Sequence, residues 1–387
     1  MRLRSNYNIE QLVHPIGPAE IHIAKPVRLA HRRLAFLDGI RGFAAIFVML
    51  HHVHAELSRQ GDLSPLLERA TCWLQIGHYP VAVFIVLSGF SLMLSVLSSP
   101  TLQISGGFKQ YLFRRARRIL PTYYIVLLAT ILLGFTWPAY RSSDPISWPT
   151  GMGIGAILSH VALIHNLNSS WCFAVNPPTW SIATEFQIYL LFPTFLLPMF
   201  RRLGGLFTIL IGSLSGIAIN QFCGSNIGWT CPWYIGLFAM GMTAAMVTRE
   251  IKGATSLKNN ARWYATGAVV LFVGIMAQIN IRPDLIILAD FLTGGCTAMF
   301  LCWCALNRFA VKQPVIVRPL ESRTAHFLGE ISYPLYLVHY PVIAATSYWI
   351  HSLALPGSAN CGLVTIIATA LSVCIARLLV EVAELSN

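Results

Sequence analysis

Histidine, arginine and glutamate fall in short constellations whose spacing suits acid–base and phosphate chemistry. The first reads Asp38-Gly39-Ile40-Arg41-Gly42 and ends in His51-His52-Val53-His54. On an α-helix, at about 100° per residue, Arg41 and His52 are only about 20° out of phase, whereas His51 and His54 point away. Arg41 and His52 therefore share a face, but at about 16 Å along the axis they mark the two ends of a polar stripe. The second constellation runs from Asn176-Pro177-Pro178-Thr179-Trp180-Ser181-Ile182-Ala183-Thr184-Glu185 to Tyr189. A carboxylate such as Glu185, set against an imidazole such as His52, fixes its tautomer and raises its basicity, as a general base requires. The third is Phe113-Arg114-Arg115-Ala116-Arg117-Arg118, four guanidiniums in five residues. Their planar forks bind phosphate oxygens in bidentate fashion.

Each of these residues also has a plainer reading. Arg41 fits a positive-inside anchor and His52 an interfacial histidine. Glu185 fits a structural carboxylate bonded to a tyrosine or to backbone, and the arginine run fits a topology signal in contact with anionic lipid. Ser88-Gly89-Phe90 suggests a serine nucleophile, yet no histidine is tied to it by sequence, and small residues that let helices approach closely account for it better. The nine cysteines show no CxxC or Cys/His pair at metal-ligand spacing, and Cys302 and Cys304 point in different directions on a helix, so no metal site is expected.

The elements that position these groups follow from composition. With 55% of 387 residues apolar and 11% charged, the chain lacks the roughly one-quarter charged residues that coat a soluble globule. Lipid must be the solvent for most of its surface. The net charge of +12 falls in clusters beside apolar stretches, with no basic helix or zinc pattern, so nucleic acid is not an expected partner. Residues 1–35 lack the apolar core of a cleavable signal peptide and read as a basic, poorly ordered cytosolic tail. The remainder, 36–383, reads as one membrane domain, with no soluble C-terminal domain after it.

Apolar stretches lie at 38–57, 78–98, 119–137, 151–167, 180–200, 203–222, 230–248, 263–281, 284–306, 331–352 and 361–383. If Lys/Arg-rich loops face the cytosol, an odd number of spans between the Arg114 cluster and Arg201 is excluded, so one stretch does not cross. The shortest, 151–167, opens with Gly151, Gly153 and Gly155 and carries His160, His165 and Asn166. These are costly in lipid. The expectation is an all-α integral membrane protein: a bundle of about ten transmembrane helices with both termini cytosolic, plus one re-entrant or surface helix near 151–167 on the outer side. This topology puts Glu185 about 8 Å below the outer interface, at the depth of His52. It also places Cys223 and Cys231 at the two ends of one short outer loop, where they either pair or remain free.

Taken together, these blocks resemble the acyltransferase 3 family of polytopic membrane proteins, which O-acylate bacterial surface and secreted glycans. The resemblance rests on Leu37 to Ala45 with His52, on Val81 to Phe90, and on Arg115-x-x-Arg118-Ile119-x-Pro121. It extends to Pro178 to Ile182 with Glu185, and to Leu328-Gly329-Glu330-Ile331-Ser332-Tyr333-Pro334-Leu335-Tyr336-Leu337-Val338-His339. It implies essential roles for Arg41 and His52 and a functional pair at Arg115 and Arg118. The family's C-terminal Glu-Arg/Lys-Pro signature is replaced here by Glu381-Val382-Ala383. The expected function is transfer of an acyl group, acetyl first, from acyl-coenzyme A to a hydroxyl of a polysaccharide, lipid-linked sugar or secreted glycan at a bacterial inner membrane. Acyl-coenzyme A would be a donor substrate rather than a resident cofactor. Its phosphates would lie on Arg115, Arg118 and Arg41, with His52, oriented by Glu185, as base. A separate periplasmic partner would complete the transfer if the chain does not act alone. The alternative is a transporter or flippase without acyl chemistry, since intramembrane His, Glu and Arg also mark substrate and proton pathways.

Overall fold

The computed structural model describes residues 34–99, 101–137, 153–250, 257–282, 284–307 and 314–385. The tail expected over 1–35 falls almost wholly outside them, as do parts of the loops after Glu250 and Asn307. The described residues from Ala35 onward form a single unit, and every regular element among them is a helix. In order they are α1 (Ala35–Gln60), α2 (Pro65–Thr71), α3 (Tyr79–Leu97), α4 (Gly107–Thr136), α5 (Ile154–Val161), α6 (Trp180–Leu191), α7 (Leu197–Cys223), α8 (Tyr234–Glu250), α9 (Leu257–Ile281), α10 (Ile286–Asn307), α11 (Val317–Leu320), α12 (Arg323–His351) and α13 (Gly357–Leu385).

Seven described helical stretches are long and apolar enough to cross a membrane. The longest, Pro177–Cys223, contains a break at Gly204, whose φ of 80° and ψ of 176° divide it into two rods. Glycine is the residue that adopts such a conformation without strain. The 17 residues of α8 and the 29 of α12 are also of membrane length, at about 1.5 Å per residue. Counting both rods gives about ten crossing segments, in line with the expectation. The outward faces are apolar, as lipid requires: Ile125, Leu128, Leu132 and Phe135 of α4 are all exposed at helical spacing. α12 is less apolar because it carries the polar face of the site.

Two close helix pairs frame the interior. A Cβ built on Gly42 would stand 2.6 Å from Leu328 Cβ, and one on Gly329 would stand 2.5 Å from the Asp38 carbonyl oxygen, so α1 and α12 meet nearly backbone to backbone. Gly89 of α3 and Gly241 of α8 make the same kind of contact, each against a backbone carbonyl of the other helix. Small residues therefore set the spacing, as is usual where lipid removes the hydrophobic drive between helices.

The stretch expected near 151–167, described from residue 153 onward, does not cross. Its helix α5 has eight residues, about 12 Å long against a core of about 30 Å. It is not a helix that displays its polar groups, because His160, His165 and Asn166 are buried. The two imidazole rings stack with centroids 3.8 Å apart, and burial pushes the His160 imidazole down to about 4. Asn166 donates to Thr184 Oγ1 at 3.0 Å and accepts from Gln187 Nε2 at 2.8 Å.

Candidate active site

Three helices bring the predicted charged groups together. Arg41 of α1 lines a cavity with Arg115 and Arg118 of α4 and with Glu185 of α6. Three guanidiniums against one carboxylate leave this cavity two positive charges in excess. Arg41 donates through Nη2 to Ser91 Oγ at 2.6 Å and approaches Asp38 Oδ1 at 3.7 Å. The arginine run divides by face. Arg114 turns back to the Ser105 carbonyl at 2.8 Å, while Arg115 and Arg118, three positions apart, look into the cavity. Arg115 Nε is buried and, among the described residues, has no hydrogen-bond partner. An unpaired buried guanidinium nitrogen beside two more arginines is suited to an anionic ligand. Just beyond, Pro121 interrupts the helical hydrogen-bond ladder, and Tyr333 of α12 donates to the Ile119 carbonyl at 3.0 Å.

Glu185 and His52 do not pair, and that expectation is corrected. Glu185 accepts short hydrogen bonds from Ser88 Oγ and Tyr189 OH. His52 instead meets the Val48 carbonyl through Nδ1 at 2.9 Å and His339 Nε2 at 3.2 Å. Matched depth in a bundle fixes height but not azimuth, and α12 supplies the imidazole's partner. Ser88 is therefore a hydrogen-bond donor to the cavity carboxylate, while its neighbour Gly89 takes the packing role expected of the whole Ser-Gly-Phe block.

The histidine pair has a defined proton arrangement. His339 Nδ1 lies 3.1 Å from the Leu335 carbonyl, which can only accept, so Nδ1 carries the proton and Nε2 is an acceptor. His52 Nδ1, facing a carbonyl and that acceptor, must also be the protonated nitrogen. This leaves His52 Nε2 as the basic atom, in a second cavity lined by His51, Glu56, Phe173 and Tyr340 among others. His51 shares this cavity, although its Nδ1 is held by the Leu74 carbonyl at 2.8 Å. His54 is turned away, against Thr71 Oγ1 at 3.1 Å.

One face of α12 joins the two cavities. Ser332, Tyr333 and Tyr336 line the arginine cavity; Tyr336 shares a hydrogen bond with Ser181 Oγ at 2.7 Å, and its ring lies 5.7 Å from that of His339. His339, Tyr336, Ser88 and Tyr189 join the site in the structure, beyond the residues expected from the sequence. The signal was present: Ser332, Tyr333, Tyr336 and His339 recur at i, i+1, i+4 and i+7, a polar stripe at helical spacing. Among the described residues, no group of three or more His, Cys, Asp or Glu side chains is placed to hold a metal ion. The nine cysteines are free, with Cys223 exposed and Cys231 buried.

The bundle thus sets an arginine-lined cavity and a histidine pair along one face of α12, inside a helical membrane protein. The chain belongs to the acyltransferase 3 family: the family's model for an acyltransferase domain matches residues 34–380. It is similar to the O-acetyltransferase OatA of Staphylococcus aureus, with 24% identity over 82% of this chain and 52% of that protein. It is also similar to the peptidoglycan O-acetyltransferase OatA of Listeria monocytogenes, with 24% identity over 45% of this chain and 26% of that protein. The chain thus spans about half the length of the Staphylococcus relative and matches a smaller part of the Listeria one. No solved structure is matched.

Proposed function

We propose that this chain transfers an acetyl group from acetyl-coenzyme A to a hydroxyl of an extracytoplasmic glycan, with both termini and the arginine cavity on the cytosolic side of a bacterial inner membrane. The observation that carries this reading is the arginine cavity of Arg41, Arg115 and Arg118 joined through Tyr336 and His339 to His52. Donor phosphates engage the three guanidiniums, and the pantetheine arm follows the α12 face over the roughly 16 Å that separate Arg41 from His52 along α1. Glu185, held by Ser88 and Tyr189, limits the cavity's excess positive charge.

At the far end, His52 Nε2 takes the proton of the acceptor hydroxyl as that oxygen attacks the thioester carbonyl. The tetrahedral adduct breaks its carbon–sulfur bond, and the imidazolium returns the proton to the leaving thiolate. His339 stabilises the proton on His52 Nδ1 throughout and so acts as a positioning residue. The relatives' printed names, both O-acetyltransferases and one of the two specifying peptidoglycan, support acetyl as the group and a cell-wall glycan as the acceptor class. The test is thiol release from acetyl-coenzyme A by the purified protein in nanodiscs with glycan present. Release by the wild type that is lost in His52→Ala supports the reading; no release, or equal release by both, overturns it.

A further inference from the structure

A third cavity, of about 980 Å³, lies among chain segments at the end of the bundle remote from the arginines and is not used by the chemistry above. Its size falls within the roughly 300–1,000 Å³ typical of ligand pockets. His78, Phe173, Trp229 and Trp233 form its aromatic part, and Asn220 and Gln221 add amide groups. Phe173 also lines the His52 cavity, so the two spaces adjoin.

The aromatic part is organised rather than incidental. Phe173 and Trp229 contact at 4.9 Å between centroids, and His78 stacks on Trp180 at 6.0 Å with an interplanar angle of 11°. Behind His78 sits Asp290, which is fully buried. It accepts from Trp233 Nε1 at 2.9 Å and meets His78 Nε2 at 3.1 Å. Its other oxygen, Oδ1, is buried with no partner among the described residues. A carboxylate fully withdrawn from water inside a membrane helix is expensive and marks a functional position. Here it fixes the His78 ring and leaves Nδ1 as the nitrogen available to a ligand. Asp290 itself is not part of the lining, and the carboxylate that is, Asp284, is paired with Arg282 at 2.8 Å. The cavity therefore lacks the cationic surplus of the arginine site and suits a neutral ligand with flat apolar faces and a fringe of hydroxyls.

We infer that this cavity is the acceptor site, holding a neutral saccharide ring against Trp229 and Phe173, with hydroxyls on His78, Asn220 and Gln221 and the strand leading past Phe173 to His52. The inference rests on the glycan-acylation reading and names where its acceptor sits. Tyr234 completes the hydrogen-bond set by bringing its hydroxyl to His78 Nε2 at 3.1 Å.

The test uses saturation-transfer NMR on the full chain in nanodiscs, with a β-1,4-linked N-acetylglucosamine tetramer as probe and no acyl donor. Wild-type protein is expected to saturate the sugar ring protons. Trp229→Ala should weaken binding by about two- to ten-fold, the loss that removing one aromatic contact produces. Ser169→Trp fills the cavity from an exposed rim position without disturbing the buried network, and should abolish the signal. Trp263→Ala, at a side chain 74% exposed elsewhere on the bundle, should bind as the wild type does. No saturation in the wild type, or wild-type binding by both Trp229→Ala and Ser169→Trp, overturns the inference. Because the donor is absent, saccharide binding without acetyl-coenzyme A turnover would sink the transferase reading and leave this site standing; turnover without binding here would do the reverse.

Discussion

Substituting Gly42 by alanine tests whether the contact between α1 and α12 sets the catalytic geometry. The new Cβ would lie 2.6 Å from Leu328 Cβ and 2.8 Å from the Gly329 nitrogen. Both neighbours are backbone or backbone-anchored, so neither can swing aside. Ordinary contact begins near 3.4 Å, so the helices must part by about 0.8 Å, an overpacking that costs about 1–3 kcal/mol. The bond between His52 Nδ1 and His339 Nε2 spans the same helix pair at 3.2 Å. A rigid shift of that size would stretch it to about 4 Å, beyond hydrogen-bond range. Misplacement by about 1 Å in a catalytic array lowers rate by about 100-fold. Thiol release from acetyl-coenzyme A should fall on that scale, with a reduced melting temperature but normal membrane insertion. Gly362→Ala, where a Cβ meets nothing within 4 Å, should be neutral or stabilising by about 0.5–1 kcal/mol. Wild-type turnover and melting in Gly42→Ala would refute the reasoning that this helix contact holds the histidine pair.

Further outcomes follow from the same geometry. His52→Ala should lower turnover by about 10²- to 10⁴-fold, the usual contribution of a general base, while His54→Ala keeps most activity and His51→Ala, whose side chain shares the cavity, falls between; equal losses in all three would contradict the arrangement. Arg115→Ala and Arg118→Ala should raise the apparent Kd for acetyl-coenzyme A more than they change the rate at saturation, and an unchanged Kd in both would move the donor elsewhere. The buried His160 binds its proton near pH 4 when folded but near 6.5 when unfolded. The unfolded state therefore holds more protons between these values, and stability should decline as pH falls from about 6.5 towards 4, by about 3 kcal/mol in full. His160→Gln should flatten that decline in melting temperature, and an unaltered pH profile would remove His160 as its source.

The bundle was legible because hydropathy and charge parity are strong one-dimensional signals. They yielded about ten crossings and singled out 151–167 as non-spanning. The convergence of Arg41, Arg115, Arg118 and Glu185 was readable in part: each stood out as an ionisable group inside or beside an apolar stretch. The pairing of His52 with Glu185 was not, because equal depth leaves the rotational position of each helix open. The actual partner, His339, lies 287 residues away in sequence on a helix joined to α1 by Gly42 and Gly329. Those glycines are visible in the sequence, but a small residue does not name the helix it meets. The third cavity was also hidden, since its aromatics come from separate segments and each looks alone like an interfacial anchor.

The central claim is that donor and acceptor enter from opposite ends of one bundle. Proteoliposomes of uniform orientation offer the most direct measurement: labelled acetyl-coenzyme A is supplied on the arginine side, and an N-acetylglucosamine oligosaccharide is trapped on the side of His78. The account predicts base-labile labelled acetate on the trapped sugar, absent in His52→Ala and in the Arg115→Ala, Arg118→Ala double variant. Label that reaches sugar only when both substrates share one side, or that never forms an ester, would contradict it.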